Sequence, residues 1–423
     1  MSLARWIIAL LLTAGFAGGI GYAVGERHAR VAPAHTLKPG AVVPASGQTA
    51  AAVQAALLDP DRLAGVEALA ALLRRSGPEQ LPEIRSAFET VFLDVADLEV
   101  VLLAEWWADF DPKAAFDWSR NSAIGHHPLV MHSVLEAWAR RDPLAARDAL
   151  AGLVDPFMKR GAIDSLISGW DASGQPGLIE YLRSLGASVD ALMSMAPLAR
   201  RHVLRDGPEG AFAWAEAFPE DPPEDALRFK LQMFRRVASA AAPIDPEKTA
   251  AWAARHANGP NGDGLLARTA TGWVSQSGDG EKAMRWLSTQ PDGKQREDAV
   301  QEAYVTWSTG WHDQATAWLL AAPHELWLEP ALQVHAARLA ITDPEAALAV
   351  ARGLQNPDLR EATFASIGDT WLRRDPDAAR RWLASGEPSE SVRNQILQAA
   401  GEAGRERQEA SQATDAGAPA PAP

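Results

Sequence analysis

Apolar and polar positions alternate along this chain with a helical rhythm, broken at clusters of Gly, Pro and Asp, from about Thr49 to Glu402. The pattern also repeats. With Trp107-Ala-Asp-Phe-Asp111-Pro112-Lys-Ala-Ala115-Phe-Asp-Trp118 as template, the spacing returns at Trp138, Asp142, Pro143, Ala146 and Ala149, and at Trp371, Asp375, Pro376, Ala379 and Trp382. Weaker copies lie between. Trp170 is followed by Gly174, Leu178 and Tyr181, Gly207-Pro208 by Ala211 and Trp214, and Asp245-Pro246 by Trp252. Trp273 precedes Asp279, Ala283 and Trp286, Trp307 precedes Trp311, Ala315 and Trp318, and Asp343-Pro344 leads to Ala347 and Val350. The Asp-equivalent positions are 111, 142, 174, 207, 245, 279, 311, 343 and 375, at intervals of 31, 32, 33, 38, 34, 32, 32 and 32. Twelve of the 16 Trp fall in two columns, four before the Asp position or seven after it, counting Trp273, which stands before Asp279 with two extra residues, so the aromatic residues belong to the repeat.

The motif has a physical meaning. Asp at an N-cap accepts hydrogen bonds from the unpaired N–H groups of a first turn, and Pro at the next position gives up a donor that had no partner. Asp-Pro therefore closes one helix and opens the next in a tight corner. The following Ala and Trp share one face of the new helix, where a small residue beside a bulky one lets two helices approach. Loops at Pro219–Asp225, Asn258–Gly264, Gln290–Lys294, Asn356–Asp358 and Ser385–Pro388 separate the pairs. The expected fold is all-α: a right-handed α-solenoid of about nine 32-residue helical hairpins over residues 97–402. Capping helices are expected over 49–96, and a last helix over Ser391–Ala403.

A helical hairpin of 32 residues with aromatic and alanine anchors resembles the tetratricopeptide and Sel1-like superhelical repeats, and more loosely the HEAT repeats. The resemblance is one of architecture, because the W-x2-L-G-x2-Y pattern of the first helix is absent. It implies binding of a protein or peptide along a groove, without catalysis.

Ahead of the repeats, Trp6–Val24 runs 19 residues without a charge, between Arg5 and the group Glu26, Arg27 and Arg30. At about 1.5 Å per residue that is roughly 28 Å, close to a hydrocarbon core. Residues 1–30 therefore read as a single-pass transmembrane anchor, and Gly15/Gly19 and Gly21/Gly25 are spaced for a homodimer through that helix. A cleaved signal peptide is the alternative, since Gly15-Phe16-Ala17 and Gly21-Tyr22-Ala23 end in small residues. Residues 31–48 read as a flexible linker, and 403–423, closing in AGAPAPAP, as a disordered tail. The expected location is a bacterial inner membrane with the body in the periplasm; basic residues flank both ends of the span, so a cytoplasmic body stays open.

Charge and composition narrow the partners. Residues 1–48 carry four bases against one acid, or +3, and the rest 36 bases against 53 acids, or −17. Such an acidic body argues against nucleic acid, whose affinity rests on phosphate contacts. Cysteine is absent, which removes disulfides, thiolate metal sites and thiol nucleophiles. His126, His127 and His132 form the one histidine cluster, but His127 and His132 are five apart, off the spacing that places two ligands on one helical face. His324-Glu325 lacks a second His, and no nucleophile-elbow, phosphate-loop or dinucleotide pattern occurs. No cofactor, metal or catalytic residue is therefore expected.

Trp106, Trp311 and Trp327 lie off the two columns and are the candidates for an exposed aromatic groove; Arg141 and Arg374 are candidate groove cations. The basic pairs Arg140-Arg141, Arg200-Arg201, Arg235-Arg236, Arg373-Arg374 and Arg380-Arg381 read first as complements to helix C-termini, and alternatively as a row that binds acidic peptides. The expected function is a membrane-tethered scaffold for protein–protein interaction. An envelope glycan-binding or glycan-processing protein, with Trp and carboxylates in a helical groove, is the alternative.

Overall fold

The structure, a computed structural model, describes residues 48–91, 95–122, 124, 128–153, 155–399 and 401. The expected anchor at 6–24, the linker up to residue 47, His126, His127 and the tail at 403–423 lie outside them. Among the described residues all regular structure is helical, as expected. Two compact units divide the chain, Met1–Trp138 and Ala139–Pro423.

In the first unit, α1 (Gln48–Leu57), α2 (Arg62–Arg75) and α3 (Leu81–Thr90) precede α4 (Asp97–Ala108), α5 (Pro112–Asn121) and most of α6 (Pro128–Arg141). Helix α1 packs on α2 and α3, α2 on α4, and α4 on α5. The buried carboxylate of Glu99 is held by Arg62 at 2.6 Å. Asp111 accepts from Ala114 N–H at 3.0 Å and Pro112 opens α5, so the Asp-Pro corner forms as its chemistry dictates. Trp107 and Trp118, one from each column, meet across that corner with ring centroids 5.5 Å apart.

The second unit continues through α7 (Pro143–Ala151), α8 (Pro156–Ser173), α9 (Leu178–Ser184), α10 (Val189–Glu216), α11 (Phe229–Ala241) and α12 (Pro246–His256). Then come α13 (Leu265–Ser277), α14 (Gly280–Ser288), α15 (Lys294–Gly310), α16 (His312–Ala321), α17 (Glu329–Leu339), α18 (Pro344–Gly353), α19 (Pro357–Arg374) and α20 (Pro376–Ala384), with a further helix over 390–399. Longer and shorter helices alternate over most of this run. The longer ones pack in chain order, α8 on α10, α10 on α11, α11 on α13, α13 on α15, α15 on α17 and α17 on α19; the shorter α12, α14, α16 and α18 each pack against both flanking long helices, and α20 packs on α19.

One corner chemistry recurs. Asp142, Asp245, Asp279, Asp343 and Asp375 each accept from the N–H three residues on, at 3.0 to 3.3 Å. Each such cap stabilises by about 1 kcal/mol. Trp311 holds nearly the same backbone geometry, φ −137° and ψ 59° against φ −140° and ψ 85° at Asp343, without a side-chain cap. The two Trp columns meet across the corners again: Trp273–Trp286 at 6.4 Å, Trp307–Trp318 at 5.4 Å, Trp371–Trp382 at 6.1 Å, with Trp170–Tyr181 at 5.6 Å. Aromatic pairs in this range are worth about 0.5–1.5 kcal/mol beyond burial. The alanines between the Trp pairs, Ala283, Ala315 and Ala379, and Ala347 at the same place in the Asp343 repeat, are wholly buried.

Two repeats depart from the expected spacing. At Gly174 the next helix does not begin; it starts at Leu178 after Gly177, whose φ of 103° only glycine accepts readily, and α9 is seven residues long. At Gly207, φ 74° and ψ 170° break α10 into two helices, the second opened by Pro208. The 38-residue interval that follows reflects the long loop between Glu216 and Phe229.

Candidate binding surface

Burial reduces each long helix of the second unit to a narrow outward stripe. In α13, Leu265–Ala267, Thr269, Ala270 and Gly272–Val274 are buried, which leaves Arg268, Thr271 and Ser275 facing out at helical spacing. In α15 the stripe is Asp298, Gln301, Glu302, Val305 and Thr309; in α11 it is Gln232, Arg235, Arg236 and Ser239; in α10 it includes Met193, Arg200, Arg201 and Leu204. Parallel packing brings equivalent positions side by side. Arg201 lies 3.8 Å from Asp164 of α8, Arg268 lies 3.6 Å from Glu302, Gln301 is bonded to Gln333 at 3.4 Å, and Arg338 donates to the Ser308 carbonyl at 2.7 Å. Large apolar side chains interrupt these polar rungs: Met193 is 57% exposed, Leu204 63% and Val305 41%.

Electrostatically the stripe is uneven at its centre. Arg235 turns to Asp263, meeting its carboxylate at 2.5 Å and its carbonyl at 2.7 Å. Arg236, half-buried, has its Nε closed off from solvent without a hydrogen bond. Burial, then the neighbouring Arg268 and Arg235, push its guanidinium below the ordinary arginine value.

A second feature occupies the irregular repeats. A cavity of about 310 Å³ is walled by Trp170, Gly177, Leu182, Leu198, Trp214 and Phe229. Behind it the buried His202 stacks on Trp214 at 3.7 Å, with Nε2 3.0 Å from Asp171 and Nδ1 3.1 Å from Asp206. The Asp206 carboxyl is held below its ordinary value, chiefly by its bond from Arg205 and also by His202. Nearby, Lys230 is buried, donating to Glu220 at 2.7 Å and the Glu216 carbonyl at 3.2 Å, while Glu216 accepts from Trp252 at 2.7 Å and meets His256 at 2.9 Å. These bonds tie the loop after α10 to the body and leave the buried charge paired.

The residues expected in a groove fall in separate hairpins. Trp106, on α4, is half-buried and donates to the Ser76 carbonyl at 3.3 Å. Trp327 is half-buried and donates to Glu325 at 2.8 Å. Trp311 is 37% exposed and lies over Gly278. Arg141 and Arg374 are exposed at the ends of α6 and α19, each just before a capping Asp. Arg235 and Arg236, by contrast, sit in the middle of α11, and Arg200 and Arg201 well inside the first half of α10. The helix-terminus reading fails for both pairs. Nine of the twelve column Trp are buried, and Trp214, Trp286 and Trp318 are half-buried, so the columns build the core.

Among the described residues no three His, Asp or Glu gather to hold a metal ion, and no helix is long and apolar enough to cross a membrane. No known protein family, curated protein or solved structure matches the chain.

Proposed function

We propose that this chain is a scaffold for protein–protein interaction, a right-handed solenoid of the tetratricopeptide kind, tethered to a bacterial inner membrane by residues 6–24 with its body in the periplasm. The observation that carries the reading is the in-order packing of the long helices. It aligns their outward stripes into one extended polar surface with apolar points, the kind of surface on which repeat arrays hold partners. The buried Trp columns support it too, because aromatic side chains spent on hairpin cores are not offered to a ligand.

A photoreactive amino acid at Val305 or Leu204, with Lys282 or Arg380 on the short helices as controls, tests this in the full-length chain in its native membranes. The expected result is one and the same protein adduct from Val305 and Leu204 and none from the controls. Equal labelling from both sets, or none from the long-helix positions, refutes the scaffold surface. The glycan-binding alternative draws on the cavity beside Trp214, whose half-exposed indole lies near Asp171. It predicts that cell-wall glycan fragments change Trp214 fluorescence, and a Trp214→Phe variant with undiminished glycan response would exclude this cavity.

A further inference from the structure

A charge taken out of water is costly unless it is paired, and proteins rarely keep such a group without a use. Arg236 is half-buried, its Nε is shut off from solvent, and among the described residues it makes no hydrogen bond or ion pair. The charged groups that act on it are cations, Arg268 and Arg235. Arg235 is closed on Asp263. On one side Arg268 faces Glu302 at 3.6 Å, and on the other Arg201 faces Asp164 at 3.8 Å, both long for ion pairs. Arg201 also has a buried Nε and Nη2 without a bond. Each of the three flanking pairs is neutral in sum, so none of them compensates the charge of Arg236; Arg200, on the α10 stripe, is a further cation but faces solvent.

We infer that Arg236, with Arg201 and Arg268 on its flanking helices, is the docking point for a carboxylate on an extended or helical segment of a partner protein: a Glu or Asp side chain set among apolar residues. This rests on the scaffold reading and names the partner's chemistry. A guanidinium presents parallel donors that match the two oxygens of a carboxylate. One uncompensated charge calls for a monoanion. A phosphate dianion would bring a second negative charge that Arg236 itself does not match, in a chain that already carries −14. The partner's apolar residues have counterparts in Met193 and Leu204 on the adjacent α10 and in Val305 on α15, one long helix beyond α13.

The test uses the full-length chain and a fluorescein-labelled peptide of alternating Glu and Leu, with control peptides carrying Gln or phosphoserine in place of Glu. The glutamate peptide is expected to bind at least about tenfold more tightly than the glutamine peptide, and Arg236→Met to lose at least about tenfold, from the strength of charge-assisted bonds. Arg236→Lys, which keeps the charge but not the fork, should recover only part of the affinity. Without peptide, Arg236→Met should raise Tm by roughly 2–4 °C, because an unpaired half-buried charge has gone; the same melt shows that the variant folds. Equal binding of the glutamate and glutamine peptides, no binding of either, or unchanged affinity in Arg236→Met overturns the site, while the scaffold surface is judged separately by its cross-links. Tighter binding of the phosphoserine peptide overturns the choice of a carboxylate. A lower Tm in Arg236→Met overturns the premise that Arg236 is unpaired within the fold.

Discussion

Gly280→Ala separates packing from helix propensity, because by propensity alone it should stabilise. Gly280 is the first residue of α14, where Pro opens the corresponding helix at Pro112, Pro143, Pro246, Pro344 and Pro376. A Cβ at this position would lie 2.0 Å from Cδ2, 2.3 Å from Cγ and 2.4 Å from Cε2 of Trp307. Ordinary contact begins near 3.4 Å, so the indole or the helix must move by about 1.4 Å. Trp307 has little room to move: it is wholly buried, packed on Trp318 at 5.4 Å, and shares its core with Ala283, Met284 and Tyr304. Overpacking a close-packed core costs about 1–3 kcal/mol, and contact with a ring enclosed on all sides puts this case at the upper end. The lower entropy of the unfolded chain returns about 0.4–1 kcal/mol, for a net loss of about 2 kcal/mol. Gly310→Ala is the control. Gly310 ends α15 without a positive φ and with no atom within 4 Å of its would-be Cβ, so this variant should gain about 0.4–1 kcal/mol. Urea unfolding followed by circular dichroism reads both, the first with a lower midpoint and the second with a higher one at unchanged slope. A Gly280→Ala midpoint at or above wild type would show that Trp307 does not hold this corner, and the reasoning would fail.

Three further outcomes follow from the same geometry. Asp343→Ala should cost about 1 kcal/mol by urea unfolding and Asp343→Asn much less, since either Asp or Asn can accept from the Ala346 N–H; equal losses would mean that charge, not the cap, matters. Iodide should quench only a minor part of the tryptophan emission, and Trp311→Phe should remove a large share of that part, because Trp311 alone of the described Trp is exposed; broad quenching would contradict the core assignment of the columns. Acid should destabilise the fold in two windows. His335 is held below its ordinary 6.5 by burial and by His312, so the stability tied to its neutral form is present above 6.5 and lost as pH falls below it. Glu220, lowered chiefly by Lys230, and Glu387, lowered chiefly by Arg352, contribute above the ordinary 4.5 and lose that contribution as pH falls through their lowered values. The urea midpoint against pH should show both declines, and His335→Gln should flatten the upper one; a midpoint that rises on acidification would refute the assignment.

Sequence alone determined the corners and the register of the hairpins, because both depend on local chemistry. Asp followed by Pro at the repeat spacing is a strong helix-start signal, and the capping bonds at Asp111, Asp142, Asp245, Asp343 and Asp375 follow from it, whereas Asp59-Pro60 and Asp221-Pro222, off that spacing, sit in turns and loops. The Trp columns were legible for the same reason: a residue four before the corner and one seven after it must face each other once the chain reverses, as Trp307 and Trp318 do. Where the local signal weakens, at Gly174 and Gly207, the spacing misplaced one helix start, since glycine there permits several backbone routes and the packing of Trp170 and Tyr181 selects one.

Only the tertiary structure decided which charges are paired. Arg235 and Arg236 are adjacent and chemically identical in the chain, yet one turns to Asp263, 28 residues away, and the other is left half-buried beside Arg268. Likewise Trp311 and Trp327 both lie outside the columns, but only the structure exposes the first and half-buries the second. Caps and corners are settled within a few residues of backbone. Pairing and exposure depend on what the neighbouring hairpin places alongside, and that is set by the packing of helices some 32 residues apart.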